Sequence, residues 1–230
     1  MTVLDKSPKT IAEMFARIAP RYDRANRVLS FRIDVAWRRK VAKRFQGLDG
    51  PILDLASGTG DLALALRENE RAIVAADLTF EMLLEARRKF ATGNARIPLV
   101  VADALHLPFR TGAFEGIVIA FGIRNFSDPV EGLIDIRRTL NTHGLLGVLE
   151  FSRPALPVRF FYEGYSRFVL PLVGGMITGA RSAYSYLQRS SSTFPDGKRF
   201  LGMMQAAGFG ETRAKRLTFG IVTFYTGRKP

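Results

Sequence analysis

The sequence predicts a doubly wound α/β domain, a mostly parallel sheet covered by helices on both faces. Three observations carry that expectation. From residue 51 onward, short apolar runs alternate with amphipathic segments of helical period. A glycine turn, "ASGTGD" (56–61), follows the first run. The first three strands close on acids, Asp54, Asp77 and Asp103.

Before the sheet, Ser7-Pro8 reads as an N-cap with proline at the first helical position. A helix over about 9–18 then places Ile11, Met14, Phe15 and Ile18 on one face. The pattern breaks over 19–31, which reads as a loop with a short helix. Asp34 reads as the cap of a helix over about 35–46 that carries Trp37, Val41 and Phe45.

"PILDLA" then opens the sheet, followed by a helix over 60–69, the strand "AIVAAD", a helix over 80–91 and the strand "IPLVVAD". After a loop holding Pro108 come the strand "FEGIVIAFG", a helix over 129–140 and the strand "GLLGVLEFS". Residues 154–192, rich in aromatics, arginine, proline and glycine, interrupt the alternation. A helix over 196–207 and strands over 211–219 and 220–228 finish a seven-stranded sheet. The expected organisation is one domain over 1–230: a helical cap (1–50), a ligand-binding core (51–153), an aromatic insertion (154–192) and a closing helix with two strands (193–230).

The chain has 230 residues, no cysteine and only two histidines, His106 and His143. Disulfides and thiolate metal sites are excluded, and no metal site is expected. Both histidines read as solvated loop residues. The start, "MTVLDKSPKT", has no apolar stretch and is not a signal peptide. The most apolar segment, "FVLPLVGGMITGA" (168–180), would reach only about 20 Å as a helix and is broken by Pro171 and three glycines. The protein is expected in the cytoplasm or attached to the inner face of the cell membrane. The net charge of +13 fits nucleic acid, anionic lipid or a merely soluble surface.

In a doubly wound sheet, ligands bind at the carboxyl ends of the strands, near the switch in strand order. Gly58, Thr59 and Gly60 form the turn at such an end, where glycine admits a positive φ and close approach of a ligand. Asp77 is placed to accept two hydrogen bonds from a ribose diol. Asp103, followed by Ala104, is placed to accept from an adenine amine. Met82 and Leu83 can pack on the adenine face. The turn is not G-x-G-x-x-G, and Asp61 at the helix start is poor company for phosphates. A cationic nucleoside without phosphates suits the acids better. S-adenosylmethionine is such a molecule, and Asp54 lies where its ammonium would sit.

With "LDLASGTGD", "AADLTFEML", "VVADALHLPF" and "FEGIVIAFGIRN" in order across 53–125, the sequence resembles a class I, Rossmann-like S-adenosylmethionine-dependent methyltransferase. More narrowly, it resembles the quinone C-methyltransferases of menaquinone and ubiquinone biosynthesis. "YDRANRVLSFRIDVAW" (22–37), "FGIRNFSD" (121–128), "GLLGVLEFSRP" (144–154) and the late "MMQAAGF" carry that likeness. It departs from the family pattern at Ala25 (Met), Asp34 (His), Ala120 (Ser in several relatives) and Asn141 to Gly144 (Lys-Pro-Gly-Gly).

The resemblance implies methyl transfer from S-adenosylmethionine, leaving S-adenosylhomocysteine, to a ring carbon of a polyprenyl quinol. A demethylmenaquinol is the nearest case and a benzoquinol of the ubiquinone pathway the alternative. Arg124 would stabilise a phenolate and Asn125 would bond a ring oxygen, while Tyr22 and Asp23 close over the site. The plain alternative for Arg124 is a surface arginine paired with Asp128. Ala120 would line the donor side. The expected partners are the quinol and an anionic membrane surface, with room for a homodimer and no nucleic acid. An RNA methyltransferase is the rival that the charge invites, but no Asn/Asp-Pro-Pro-aromatic motif follows the fourth strand and no nucleic-acid module is visible.

Overall fold

The computed structural model describes residues 4–67 and 72–230. Its seven strands run in the order β3-β2-β1-β4-β5-β7-β6. β1 (Ile52–Leu55), β2 (Ile73–Asp77), β3 (Leu99–Val101), β4 (Phe114–Ala120) and β5 (Leu140–Phe151) are parallel. β7 (Val222–Arg228) enters antiparallel between β5 and β6 (Gly210–Leu217). The order reverses between β1 and β4, so the carboxyl ends of those strands open the crevice that such a sheet offers a ligand.

Alternate residues of the central strands feed two cores, one on each face. Leu53, Leu55, Ile117, Ile119, Leu146 and Val148 pack with α6 (Pro129–Thr139) and α10 (Lys198–Ala206). Ile52, Val118, Leu145 and Leu149 pack with α3 (Ile33–Arg44), α4 (Asp61–Leu66) and α5 (Phe80–Thr92). Doubly covered strands of this kind are apolar on both faces, which is why they read as short continuous runs. A third cluster joins Ile18, Ala25, Met82, Leu170 and Tyr184. It ties α1 (Pro8–Ile18) and α2 (Tyr22–Leu29) to α8 (Leu170–Thr178) and α9 (Arg181–Thr193).

Several expectations are corrected. Residues 19–31 do hold a short helix, the two-turn α2, but it is entered through a 3-10 turn (Ala19–Arg21) and fills most of the segment expected as loop. Ala25 alone among the α2 residues is buried, so its sequence shows no apolar stripe. Asp34 does not cap α3. The helix begins at Ile33, behind Arg32 at φ 63°, and the Asp34 carboxylate is taken by Arg27, Ser30 and Arg38. β3 stops at Val101, so Asp103 lies beyond the strand, in a bridge with His106. The insertion contains α7 (Val158–Gly164), a π-helical turn (Tyr165–Val169), α8 and α9. Residues 68 and 69 of the expected 60–69 helix lie outside the described residues. Among the described residues, no helix is long and apolar enough to cross a membrane, and no group of three His, Asp or Glu could hold a metal ion.

Candidate active site

Two cavities meet above the carboxyl ends of the strands. The polar one follows the β1 turn. Gly58 adopts φ +54°, and a Cβ there would find only a Tyr22 ring carbon at 4.0 Å, so the turn stays open toward the cavity. Gly60, at φ +78°, does not line the cavity; its bare Cα lies against the Phe90 ring, and a Cβ would sit 2.4 Å from it. The first glycine therefore leaves space for a ligand, and the second lets α4 approach α5.

The Asp77 carboxylate is fixed by backbone: it accepts from Gly58 N and Thr79 N, each at 2.8 Å. Burial pushes its pKa up, partly opposed by those amides. Asp103 accepts from Leu105 N at 3.0 Å. Asp54 is 1% exposed, and burial pushes its carboxyl up to about 8. Its Oδ2 and the Ser57 hydroxyl have no partner, and both residues line the cavity. Buried polar atoms without partners are costly, so these two mark where a ligand's donors would be met. Met82, Ala104, Ala120 and Asn125 complete the wall.

The second cavity, about 350 Å³, is lined chiefly by apolar side chains of α1, α2, α3 and the insertion. Phe15, Tyr22, Arg38 and Phe121 line both cavities and mark the junction. Arg124 lines the apolar cavity, over the Phe151 ring at 5.5 Å from its centroid. It is not a surface arginine paired with Asp128, which caps α6 instead. Arg124 is 2% exposed and donates to Glu150 at 2.8 Å. Asn125 Oδ1 accepts from Tyr186 at 3.2 Å.

Asp23 lines neither cavity. It accepts from the Thr59 hydroxyl and pairs with Lys89 at 2.5 Å. Lys89 also reaches Asp61 at 2.7 Å and Thr59 at 3.0 Å, and Asp61 in turn meets Arg27 at 2.5 Å. This network clamps α2 to the glycine turn. Thr59 and Asp61, which line the donor cavity, and Asp23 outside it thus act as a latch at the cavity's edge.

Sequence reasoning missed Glu150, Arg38 and Lys89. A signal existed for the first, since a lone acid inside the apolar run "GLLGVLEFS" needs a buried partner. Arg38 stands four residues after Asp34, one helical turn on, which also could have been noticed.

A family model described as the ubiE/COQ5 methyltransferase family matches residues 1–229. The chain belongs to that family. It is 45% identical to a demethylmenaquinone methyltransferase of Thermus thermophilus, over 94% of this chain and 100% of that protein. It is 43% identical to a ubiquinone/menaquinone biosynthesis C-methyltransferase, UbiE, of Citrifermentans bemidjiense, with both chains covered in full. Among solved structures, an S-adenosylmethionine-dependent methyltransferase from Thermotoga maritima shares the fold at TM-score 0.70 and 17% identity, covering 95% of this chain and 99% of its own. This member of the ubiE/COQ5 family is an S-adenosylmethionine-dependent methyltransferase, and its polar cavity suits that cofactor. Asp77 and Asp54 both line that cavity, and Asp54 Oδ2 is buried there without a partner.

Proposed function

We propose that the enzyme transfers a methyl group to a ring carbon of a reduced polyprenyl quinone, demethylmenaquinol to menaquinol. The observation that carries the reading is the junction itself: a polar cavity for a cationic nucleoside opens at Tyr22 and Phe121 onto an apolar cavity floored by Arg124. The names of the relatives support the acceptor class. The second printed name also supports a benzoquinol of the ubiquinone pathway as the alternative acceptor. An apolar wall suits a ring with a prenyl tail and offers little to a nucleotide, which weighs against RNA as substrate.

When bound, S-adenosylmethionine supplies an electrophilic methyl group and keeps the S–C electron pair as the C–C bond forms. The chain's own residues do the rest. Gly58, Asp54, Asp77, Met82, Asp103 and Ala104 orient the donor, with Ala120 as wall. Arg124, a guanidinium cation and not a base, acts as an electrostatic partner for the phenolate and orients a water that takes the proton. Asn125 hydrogen-bonds a ring oxygen, and Tyr22 closes the junction. Holding donor and acceptor in line is itself a large share of such catalysis.

The mouth of the apolar cavity carries exposed Phe31 and Phe161, with Phe160, Phe168 and Phe219 also exposed and Arg159 and Arg167 on the same insertion. This supports docking on an anionic membrane surface, from which the prenyl tail would enter. Purified protein with labelled cofactor, offered a reduced demethylmenaquinone, a benzoquinol or total RNA, tests the reading. Label is expected in the naphthoquinol product, and more weakly or not at all in the benzoquinol. Label in RNA alone would overturn it. Sedimentation with anionic vesicles, weakening as salt rises, is expected for the membrane face; no sedimentation at low salt rejects that part.

A further inference from the structure

The buried pair behind the apolar cavity is incompletely satisfied. Arg124 Nη1 donates to Glu150 Oε1 at 2.8 Å and to the Phe121 carbonyl at 2.5 Å, and Oε1 also accepts from Phe151 N at 2.8 Å. Arg124 Nε and Glu150 Oε2, both buried, find no partner. Such a pair recovers little of the cost of leaving water, and an apolar pair of similar shape would be at least as stable. Stability therefore does not account for it. Its placement does: Arg124 reaches the acceptor cavity, while Glu150 on β5 stands behind it and lines neither cavity.

We propose that Glu150 is a positioning residue for the methyl transfer. It holds the Arg124 guanidinium on the floor of the acceptor cavity and offsets part of its charge, and so sets the field in which the acceptor hydroxyl loses its proton. The inference rests on the quinol methylation proposed above. The groups facing the pair are Lys6 before α1, Tyr22 of α2, Tyr162 of α7, Tyr186 of α9 and Tyr225 of β7. Burial pushes the four phenols above their ordinary range, so they stay neutral in the acid and neutral range. Lys6, half-buried beside Arg124, is pushed down from a high starting value. The acid limb of a rate profile therefore reads the acceptor and the pair.

The test is the pH profile of kcat for the wild type, Glu150→Gln, Glu150→Asp, Arg124→Ala and the double variant Arg124→Ala/Glu150→Gln, with folding followed by circular dichroism and cofactor binding by calorimetry. Glu150→Gln leaves the guanidinium charge without its counter-charge. The acceptor's anion is then favoured, and the acid limb should move about one pH unit lower. Its kcat should fall about tenfold or more as the guanidinium loses its anchor. Glu150→Asp keeps the charge, so its limb should stay at the wild-type position while kcat falls. The double variant should be no slower than Arg124→Ala alone.

A limb unmoved in Glu150→Gln, or a further loss in the double variant, overturns the inference while quinol methylation stands. If Glu150→Gln does not fold, Glu150→Asp decides: wild-type kcat overturns the inference, and a lowered kcat with cofactor affinity within about twofold supports it. A wild type that methylates no quinol overturns both readings.

Discussion

The donor cavity draws its acids from the carboxyl ends of β1 and β2 and the loop after β3, where backbone amides hold Asp77 and Asp103 in place. The acceptor cavity is walled by side chains from α1 to α3 and from the insertion, which meet across more than a hundred residues. Tyr165, for instance, donates to the Leu29 carbonyl at 2.6 Å. One region is built by the main chain of a sheet and recognises charge and hydrogen-bond pattern. The other is built by packed side chains and recognises size and apolarity, with the buried Arg124–Glu150 pair at its floor and the buried Arg38–Asp34 pair in its wall. Changes to the acceptor side should therefore alter turnover and stability while sparing donor affinity, and changes to the donor side should do the reverse.

The largest test of that separation is Arg124→Ala. Removing a charge that faces a developing anion costs about 10²- to 10³-fold in kcat, and donor affinity measured by calorimetry should not change. Stability should fall as well, because Glu150 is left buried without its counter-charge; breaking such a pair costs about 3–5 kcal/mol. The loss has a definite pH sign. Burial already raises the Glu150 pKa, and losing Arg124 raises it further. The folded variant then holds a proton that the unfolded chain releases, so the penalty grows as pH rises above the ordinary glutamate value and vanishes below it. Urea unfolding at acid and at mildly alkaline pH checks this; an equal loss at both would remove Glu150 from the account. Lost donor binding would show that the two regions are not separable.

The same contrast explains what the sequence made legible. The sheet and its two helical layers follow from local periodicity, and the acids after β1, β2 and β3 could be counted from the same pattern. That Asp77, Asp103 and Gly58 line one cavity was readable for that reason. The acceptor wall was readable only where α1 and α3 supply it, through Met14, Phe15, Ile18 and Trp37; the share from α2 and α7 was not, because those helices show no buried stripe of their own. α2 buries only Ala25, and α7 buries nothing. Their positions depend on contacts far along the chain, and no pattern in 19–31 or 154–192 encodes them. Thr59 lines the donor cavity as expected, whereas Asp23, read as closing over the site, turns its carboxylate to Thr59 and Lys89 outside both cavities. Spacing brings residues near a site but does not say which way a short side chain turns.

On the donor side, the carboxyl of Asp54, pushed up to about 8 by burial, makes binding pH-dependent. Below that value the free enzyme holds Asp54 protonated, and the ammonium of S-adenosylmethionine needs the carboxylate. Binding at pH 7 should therefore release most of a proton, and each further pH unit downward should weaken affinity by up to about 1.4 kcal/mol. Above about 8 the free amine is itself deprotonated, so binding should take up a proton and weaken again. Calorimetry in buffers of different ionisation enthalpy reads both signs, and Asp54→Asn should abolish the release. Proton release that survives in Asp54→Asn would place the ammonium elsewhere.

The smallest effect belongs to the latch that joins the two regions. Asp23, on the cap helix α2, meets Thr59 of the glycine turn and Lys89 of α5, so together with the Arg27–Asp61 pair it ties acceptor wall to donor turn. Its side chain is 35% exposed and that of Lys89 24%, so water screens the pair, and a partly exposed ion pair is worth about 0.2–1 kcal/mol. Asp23→Asn keeps the size and an acceptor oxygen for Thr59 but removes the charge. Donor affinity and the acceptor KM should both weaken, each by no more than about fivefold, and the difference from wild type should shrink as salt rises. A joint, salt-sensitive loss means that closing the cap over the acceptor is coupled to an ordered donor turn. A loss confined to the donor side would mean that α2 rests on the turn without passing its state to the other cavity, and the two regions would then be neighbours only.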